Sequence, residues 1–429
     1  VFSTKPDTAL AETGNGLHEP FLQRAADSGV EPASSHALAA FLTMRLVDQF
    51  AADRATPPED ALAYQVRATR DFIKGLQPRS VEANHLQEIV RVAAGIGVFR
   101  KARLLWPPLL AFAYWLEQEL RLEEALDVLQ TGLRLGCDGA TESEIAAHLQ
   151  LGRVFRLAGR FEEARDSYAA AGRLAAHVGD GHSVLLTRIG RGLVAQQVGN
   201  LPEAERLIRG VLDEAKRTGD RDAEARASHD LAVTHALMGR EASAVELSFR
   251  AFKLYEQRPQ RTRALGDTGI MLKELGHYSA AKRALSHCLD LEPPPELRVR
   301  ALVELMELGA YMQDRLAFER WRRELAECAE QLPPDEQVEY EMKLGYGLTT
   351  FDRGPEGEKH LEQAVALAQR YGFGERLFRA ESLLREVREE GERAPAAPPA
   401  ETEPAPELRP TIKALEALAV PNRGGPLED

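Results

Sequence analysis

The chain has 429 residues, of which 44 % are hydrophobic, 28 % charged and only 6 % aromatic, and its formal net charge is -13. An acidic chain of this composition lacks the basic surface that releases counterions from a phosphate backbone, which excludes a protein wrapped in nucleic acid over its whole surface. The three cysteines, Cys137, Cys288 and Cys328, are too few and too far apart for a disulfide framework or a zinc cluster, and they read as core residues in a reducing compartment. No run of about eighteen apolar residues occurs, and no apolar stretch follows a basic start, so the expectation is a cytoplasmic protein without membrane contact.

Residues 1–34 are rich in Gly, Pro, Ser, Thr and Asp without periodicity and are expected to be a mobile leader. Ser34 and Ser35 are good N-caps for a helix to Phe50, with Leu38, Phe41, Leu42 and Leu46 at helical spacing. Pro57 and Pro58 introduce a second helix over 61–76, and a third is expected over 80–94 with Leu86, Ile89, Val90 and Ala93 inward. Residues 35–105 thus read as an N-terminal helical cap or as degenerate repeats.

Trp106-Pro107-Pro108 interrupts any helix crossing it, and a periodic pattern follows. The turn markers Gly159, Gly199, Gly239 and Gly276, with Leu120, Asp314 and Asp352 at equivalent places, give successive spacings of 39, 40, 40, 37, 38 and 38 residues. Two helices can approach closely only across small residues. Five positions after the marker stand Ala125, Ala164, Ala204, Ala244, Ala281 and Gly357; seven before it stand Ala113, Gly152, Gly192, Ala232, Gly269 and Gly345. Glu307 and Glu319 break both rules in the sixth unit, where Ala317 is the candidate replacement.

On these residues the chain resembles the tetratricopeptide-repeat family, with seven units over 106–374; the best-preserved copy is LGRVFRLAGRFEEARDSYAAA at 151–171. The lengthened period of 37 to 40 residues is similar to that of bacterial signalling and regulatory arrays. The resemblance implies an all-α solenoid, a right-handed superhelix of about seven helical hairpins whose first helices (A) line a concave groove. A C-terminal capping helix is expected at 375–390, with Leu377, Phe378, Leu383, Leu384 and Val387 on its apolar side. A Pro, Ala and Glu-rich linker follows at 391–410, and a short amphipathic helix and tail at 411–429, with Ile412, Leu415 and Leu418 on one side.

The sequence contains no phosphate-binding loop, no HExxH and no nucleophile elbow, and its histidines are scattered. No cofactor, metal or catalytic residue is therefore expected. Carrying the family's groove positions over residue by residue gives Tyr114, Arg153, Arg156, Gln196, Arg226, His229, Arg263, Lys273, Tyr311 and Tyr346. The family's chaperone-binding clamp is not matched, because Leu149, Arg153, Ile189 and Leu193 stand in its places. The basic middle of the groove list points to an acidic, extended ligand. The expected function is a non-catalytic scaffold or adaptor for a protein or peptide, without direct nucleic-acid binding. The alternative is a ligand- or peptide-responsive sensor in a bacterial signalling or transcription-regulatory system, and the C-terminal tail is a candidate occupant of the groove.

Overall fold

The computed structural model describes residues 17–28, 33–51, 58–77, 80–96, 101–136, 141–326, 332–390 and 401–418, and among them it contains α-helices and short 3-10 turns but no strand. The chain divides into two compact units, Val1–Val198 and Gly199–Asp429. Cys137 and Cys328 lie outside the described residues.

The first unit opens with α1 (Glu19–Asp27), α2 (Ala33–Val47), α3 (Glu59–Gly75) and α4 (Val81–Ile96). Helix α1 falls inside the stretch expected to be a mobile leader, and the correction has an electrostatic cause. His18, buried in the left-handed conformation just before α1, holds Asp127 with Nδ1 at 2.7 Å and Asp48 with Nε2 at 3.0 Å. Arg24 pairs with Glu82 at 2.7 Å and Glu124 at 3.1 Å, and Phe21 is fully buried. Composition reports few apolar residues here; it does not report that these polar ones meet opposite charges a hundred positions away.

Helices α5 (Trp106–Gln118), α6 (Leu122–Arg134), α7 (Thr141–Leu157), α8 (Phe161–Val178) and α9 (Gly181–Gln197) complete the first unit, with α5–α6 and α7–α8 packed as hairpins. Trp106 begins α5, where the missing N–H groups of Pro107 and Pro108 cost nothing. Trp106, Phe112 and Leu116 share one core with Phe21, Met44, Leu86 and Ile89, so the four N-terminal helices and the first hairpins bury a common apolar interior. Tyr168 of α8 lies between two glycines: a Cβ on Gly152 or Gly190 would fall 2.8 or 2.3 Å from its ring. The small residues of the repeat are thus the space into which aromatic side chains fit.

The second unit comprises α10 (Leu201–Thr218), α11 (Arg221–Leu237), α12 (Glu241–Leu254), α13 (Arg258–Glu274), α14 (Tyr278–Asp290), α15 (Pro295–Tyr311), α16 (Arg315–Ala326), α17 (Pro334–Thr350), α18 (Gly354–Tyr371), α19 (Gly374–Glu390) and α20 (Arg409–Glu416). Four hairpins, α11–α12, α13–α14, α15–α16 and α17–α18, alternate an A helix with a B helix. Their core runs from Phe249 and Phe252 through Leu265, Leu285, Met306 and Phe318. Helix α19 packs on α17 and α18 through buried Ala380 and Leu384, but Phe378, expected on its apolar side, is 69 % exposed.

The register of the sixth unit is corrected by one residue. Gln313, not Asp314, takes the left-handed turn conformation (φ 52°), while Asp314 caps α16 by accepting from the Ala317 N–H at 3.0 Å. Asn200 does the same after Gly199, accepting from Glu203. Counting from Gln313, the B-helix contact position is Phe318, not Glu319 or Ala317. Phe318 is fully buried and is accommodated by Gly309 of the same hairpin and Gly347 of the next.

Candidate binding surface

In the first unit, Tyr114 of α5 is exposed, and Gln196 of α9 is half-buried. Arg153 of α7 forms an ion pair at 2.5 Å with Glu117 of α5, a carboxylate that is 2 % exposed. Burial pushes the Glu117 pKa up against the opposing pull of Arg153 and Arg156. Arg156 also faces the hydroxyl of buried Tyr168. Both arginines are thus engaged between helices, Arg153 with a buried carboxylate one repeat upstream and Arg156 with Tyr168.

In the second unit, His229 of α11 bonds through Nε2 to Asp267 of α13 at 2.9 Å, with its ring edge-on to Tyr255. The other Asp267 oxygen lies 3.4 Å from Arg300 of α15. Burial would raise the Asp267 pKa, but the bond from His229 and the charges of Arg300, His229 and Arg263 hold it below the ordinary carboxylate value. One carboxylate thus ties three successive A helices together. Arg226, Arg263 and Arg300 occupy the same place in α11, α13 and α15, separated by 37 residues each time. Arg226 is paired with Asp222 of its own helix at 2.6 Å, whereas Arg263 is exposed. Arg300 was absent from the sequence-derived list because the one-residue register error shifted that unit; the constant spacing was the signal that could have found it.

Lys273 is not a groove cation. It is 6 % exposed, donates to Glu304 of α15 at 2.6 Å and to Glu307, and lies 3.2 Å from Glu274. Lys343 of α17 pairs with Glu304 and with Glu307 at 3.4 Å. Two lysines and two glutamates therefore cancel inside the A-helix layer. A buried ammonium demands such partners, and they stand 31 and 34 positions along the sequence, beyond any local pattern. Beside this cluster, Tyr278, Tyr311 and Tyr346 form a ladder with ring centroids 5.4 Å apart at each step.

Cys288 is a core residue: its thiol donates to the Thr262 carbonyl at 3.4 Å, and burial pushes its pKa up to about 12, far from a reactive thiolate. Among the described residues, no three His, Cys, Asp or Glu side chains meet in a group that could hold a metal ion, and no helix is long and apolar enough to cross a membrane.

Residues 183–257 match the family model for the tetratricopeptide repeat. No curated protein matches the sequence. Among solved structures, the chain is similar to the apo form of the quorum sensor NprR from B. thuringiensis, with 13 % identity over 81 % of this chain and 91 % of that one and a TM-score of 0.49. It is similar to a Rap protein complexed with competence and sporulation factor, with 11 % identity over 84 % and 99 % and a TM-score of 0.45. A third is aspartyl phosphate phosphatase F from Bacillus subtilis, with 10 % identity over 88 % and 98 % and a TM-score of 0.39.

Proposed function

We propose that this chain of tetratricopeptide repeats is a non-catalytic scaffold that holds an extended acidic segment of a peptide or protein on the A-helix face of its second unit. The observation that carries this reading is the repetition of Arg226, Arg263 and Arg300 at one place on three successive A helices, with Arg263 exposed and Arg300 only loosely paired at 3.4 Å. Equal spacing on equal helices suits an extended ligand that offers a carboxylate at intervals, because guanidinium groups bind carboxylates in a fixed, paired geometry. The neighbouring Ile270, which lines a small cleft together with Arg263 and Arg300, supplies apolar contact beside the charges.

The test is titration of a short Glu-rich peptide, with a neutral Gln-rich peptide as control, at low and high salt. Arg263→Glu and Arg300→Gln should each weaken binding by about tenfold, as expected for losing a charge-assisted pair, and added salt should weaken the parent's binding. Binding that ignores both salt and these substitutions overturns the reading.

The Asp267 bridge supports the sensor as a second reading. A ligand carboxylate that takes Arg300 competes with Asp267 for it, and so acts on the link between α13 and α15. Small-angle scattering with and without the Glu-rich peptide separates the two: an unchanged profile at saturation leaves the static scaffold.

A further inference from the structure

Residues 401–418 form a strap that starts at the turn between α13 and α14 and crosses the B helices α12 and α14. The strap begins extended. The Thr402 N–H donates to the Gly276 carbonyl at 3.1 Å, and the Thr402 carbonyl lies 3.0 Å from Nδ1 of buried His277. The Glu401 carboxylate accepts from both the N–H and the hydroxyl of Ser279, at 2.9 and 2.8 Å, in the first turn of α14. Leu408, just before α20, and Leu415 within it are 1 % and 0 % exposed in the core of the second unit, with Ile412 and Leu418 packed beside them. The helix expected to begin at 411 therefore starts at Arg409 and packs on the B helices, while the acidic tail 426–429, the candidate occupant of the groove, lies outside the described residues.

The contact has the chemistry of a peptide complex rather than of a repeat. It uses a carboxylate on one N–H and one hydroxyl, both of Ser279 in the first turn of α14, and three apolar anchors at Leu408, Ile412 and Leu415, spaced i, i+4 and i+7. An open cleft remains beneath it, lined by His277, Ala280, Arg283, Thr402 and Ile412, so the strap leaves part of the face unfilled. A helix of eight residues has little stability of its own, so the surface supplies its order.

We infer that the B-helix face of α12 and α14 is a second docking surface, distinct from the A-helix face, and that the chain's own residues 401–418 occupy it in cis. The partner that fits it is an amphipathic helical segment preceded by an extended stretch with a carboxylate about seven residues before its first apolar anchor. Such a segment displaces the strap by offering the same contacts and filling the cleft. The strap's tether gives it a high effective concentration, so an outside segment meets a surface that is closed until the strap is weakened or outcompeted.

The experiment uses the full chain and a fluorescent peptide of residues 401–418. The double variant Leu408→Asp, Leu415→Asp releases the strap; it should bind the peptide at least about tenfold more tightly than the parent, the difference that intramolecular competition imposes. A peptide carrying Leu415→Asp should not bind. Failure of a folded, cooperatively melting variant to bind the peptide overturns the inference. A second measurement needs no variant: in the parent, amides 409–416 should exchange with deuterium faster than those of α14, and excess peptide should speed exchange in 401–418 alone. Exchange of the strap in step with α14, with or without peptide, makes it an integral part of the fold and overturns the inference. Dimers that vanish with the double variant would put a second copy's tail on this face and overturn the assignment to an outside partner.

Discussion

Lys273 of α13 donates to the Glu304 carboxylate of α15 at 2.6 Å, and each is 6 % exposed. A lysine whose position in the repeat marks it as a ligand-binding cation is instead one corner of a neutral, buried cluster. Lys273→Met removes one positive charge and leaves Glu304 and Glu307 facing Lys343 alone. The expected loss is about 3 kcal/mol, typical of breaking a buried ion pair from one side, read as a lower urea midpoint with an unchanged slope. The acid side carries a second signature. The two lysines hold Glu304 down to about 2 against its burial, which alone would raise it. A depressed carboxylate contributes stability above its ordinary value of 4.5 that is lost as pH falls towards 2. Lys273→Met should flatten that acid limb; a variant as stable as the parent but unable to bind the Glu-rich peptide would return Lys273 to a binding role.

The hairpins, their turns and their small-residue contacts were legible because each follows from chain-local spacing: Gly152 and Tyr168 are 16 residues apart and belong to one unit. The partners of the charged side chains were not. Glu117 waits 36 positions before Arg153, and Glu304 31 positions after Lys273, so neither shows in the pattern of a single helix. The same limit hid α1, whose order depends on Asp48, Glu82, Glu124 and Asp127. Arg300 was hidden for a different reason. A polar N-cap, Asp314, resembled a turn residue, and the shift by one rotated the sixth A helix by about 100° in the reading.

Phe318 and Gly347 test the corrected register. A Cβ on Gly347 would lie 2.1 Å from the Phe318 ring, inside any tolerable contact. Gly347→Ala should therefore cost about 1–3 kcal/mol by overpacking. Phe318→Leu in the same background should recover part of that loss, and a thermal-melt cycle of the two single and one double variant reads the coupling. Additive effects would mean that Phe318 does not occupy the space over Gly347.

His18 makes the first unit sensitive to pH. A neutral imidazole has one N–H, yet both ring nitrogens of His18 face carboxylate oxygens, Asp127 at 2.7 Å and Asp48 at 3.0 Å, with Arg134 on the second oxygen of Asp48 at 3.1 Å. Burial lowers the His18 pKa, but the hydrogen bonds and charges of Asp127 and Asp48 outweigh it and leave the pKa above 6.5. A raised histidine contributes stability that is fully present below 6.5 and is lost as pH rises through the folded-state value. The gap in stability between the parent and His18→Gln should therefore be largest near pH 6 and shrink towards pH 9. Urea melts of both proteins across that range check it, and a constant gap would show that the imidazolium is not what holds α1.

Arg153 and Arg263 are both expected on the groove side of their A helices and should behave oppositely when changed. Arg153 neutralises Glu117, a carboxylate that burial already pushes above its usual range, whereas Arg263 is exposed. Arg153→Ala leaves that buried carboxylate with Arg156 alone, and the expected loss is about 1–3 kcal/mol, the penalty for a buried polar group deprived of its partner. A carboxylate with a raised pKa binds its proton more readily in the folded state, so the variant should regain stability as pH falls towards the Glu117 value, while the parent shows less of this recovery. Glu117→Gln combined with Arg153→Ala should be more stable than Arg153→Ala alone, because the charge that lost its partner is gone. Arg263→Gln, by contrast, removes only the smallest of the charges that hold Asp267 down and should cost the melt less than Arg153→Ala does, while weakening the Glu-rich peptide. Urea melts and peptide titrations on both variants decide the matter. If Arg153→Ala leaves stability untouched and abolishes peptide binding, Arg153 is a ligand contact and its pairing with Glu117 is incidental.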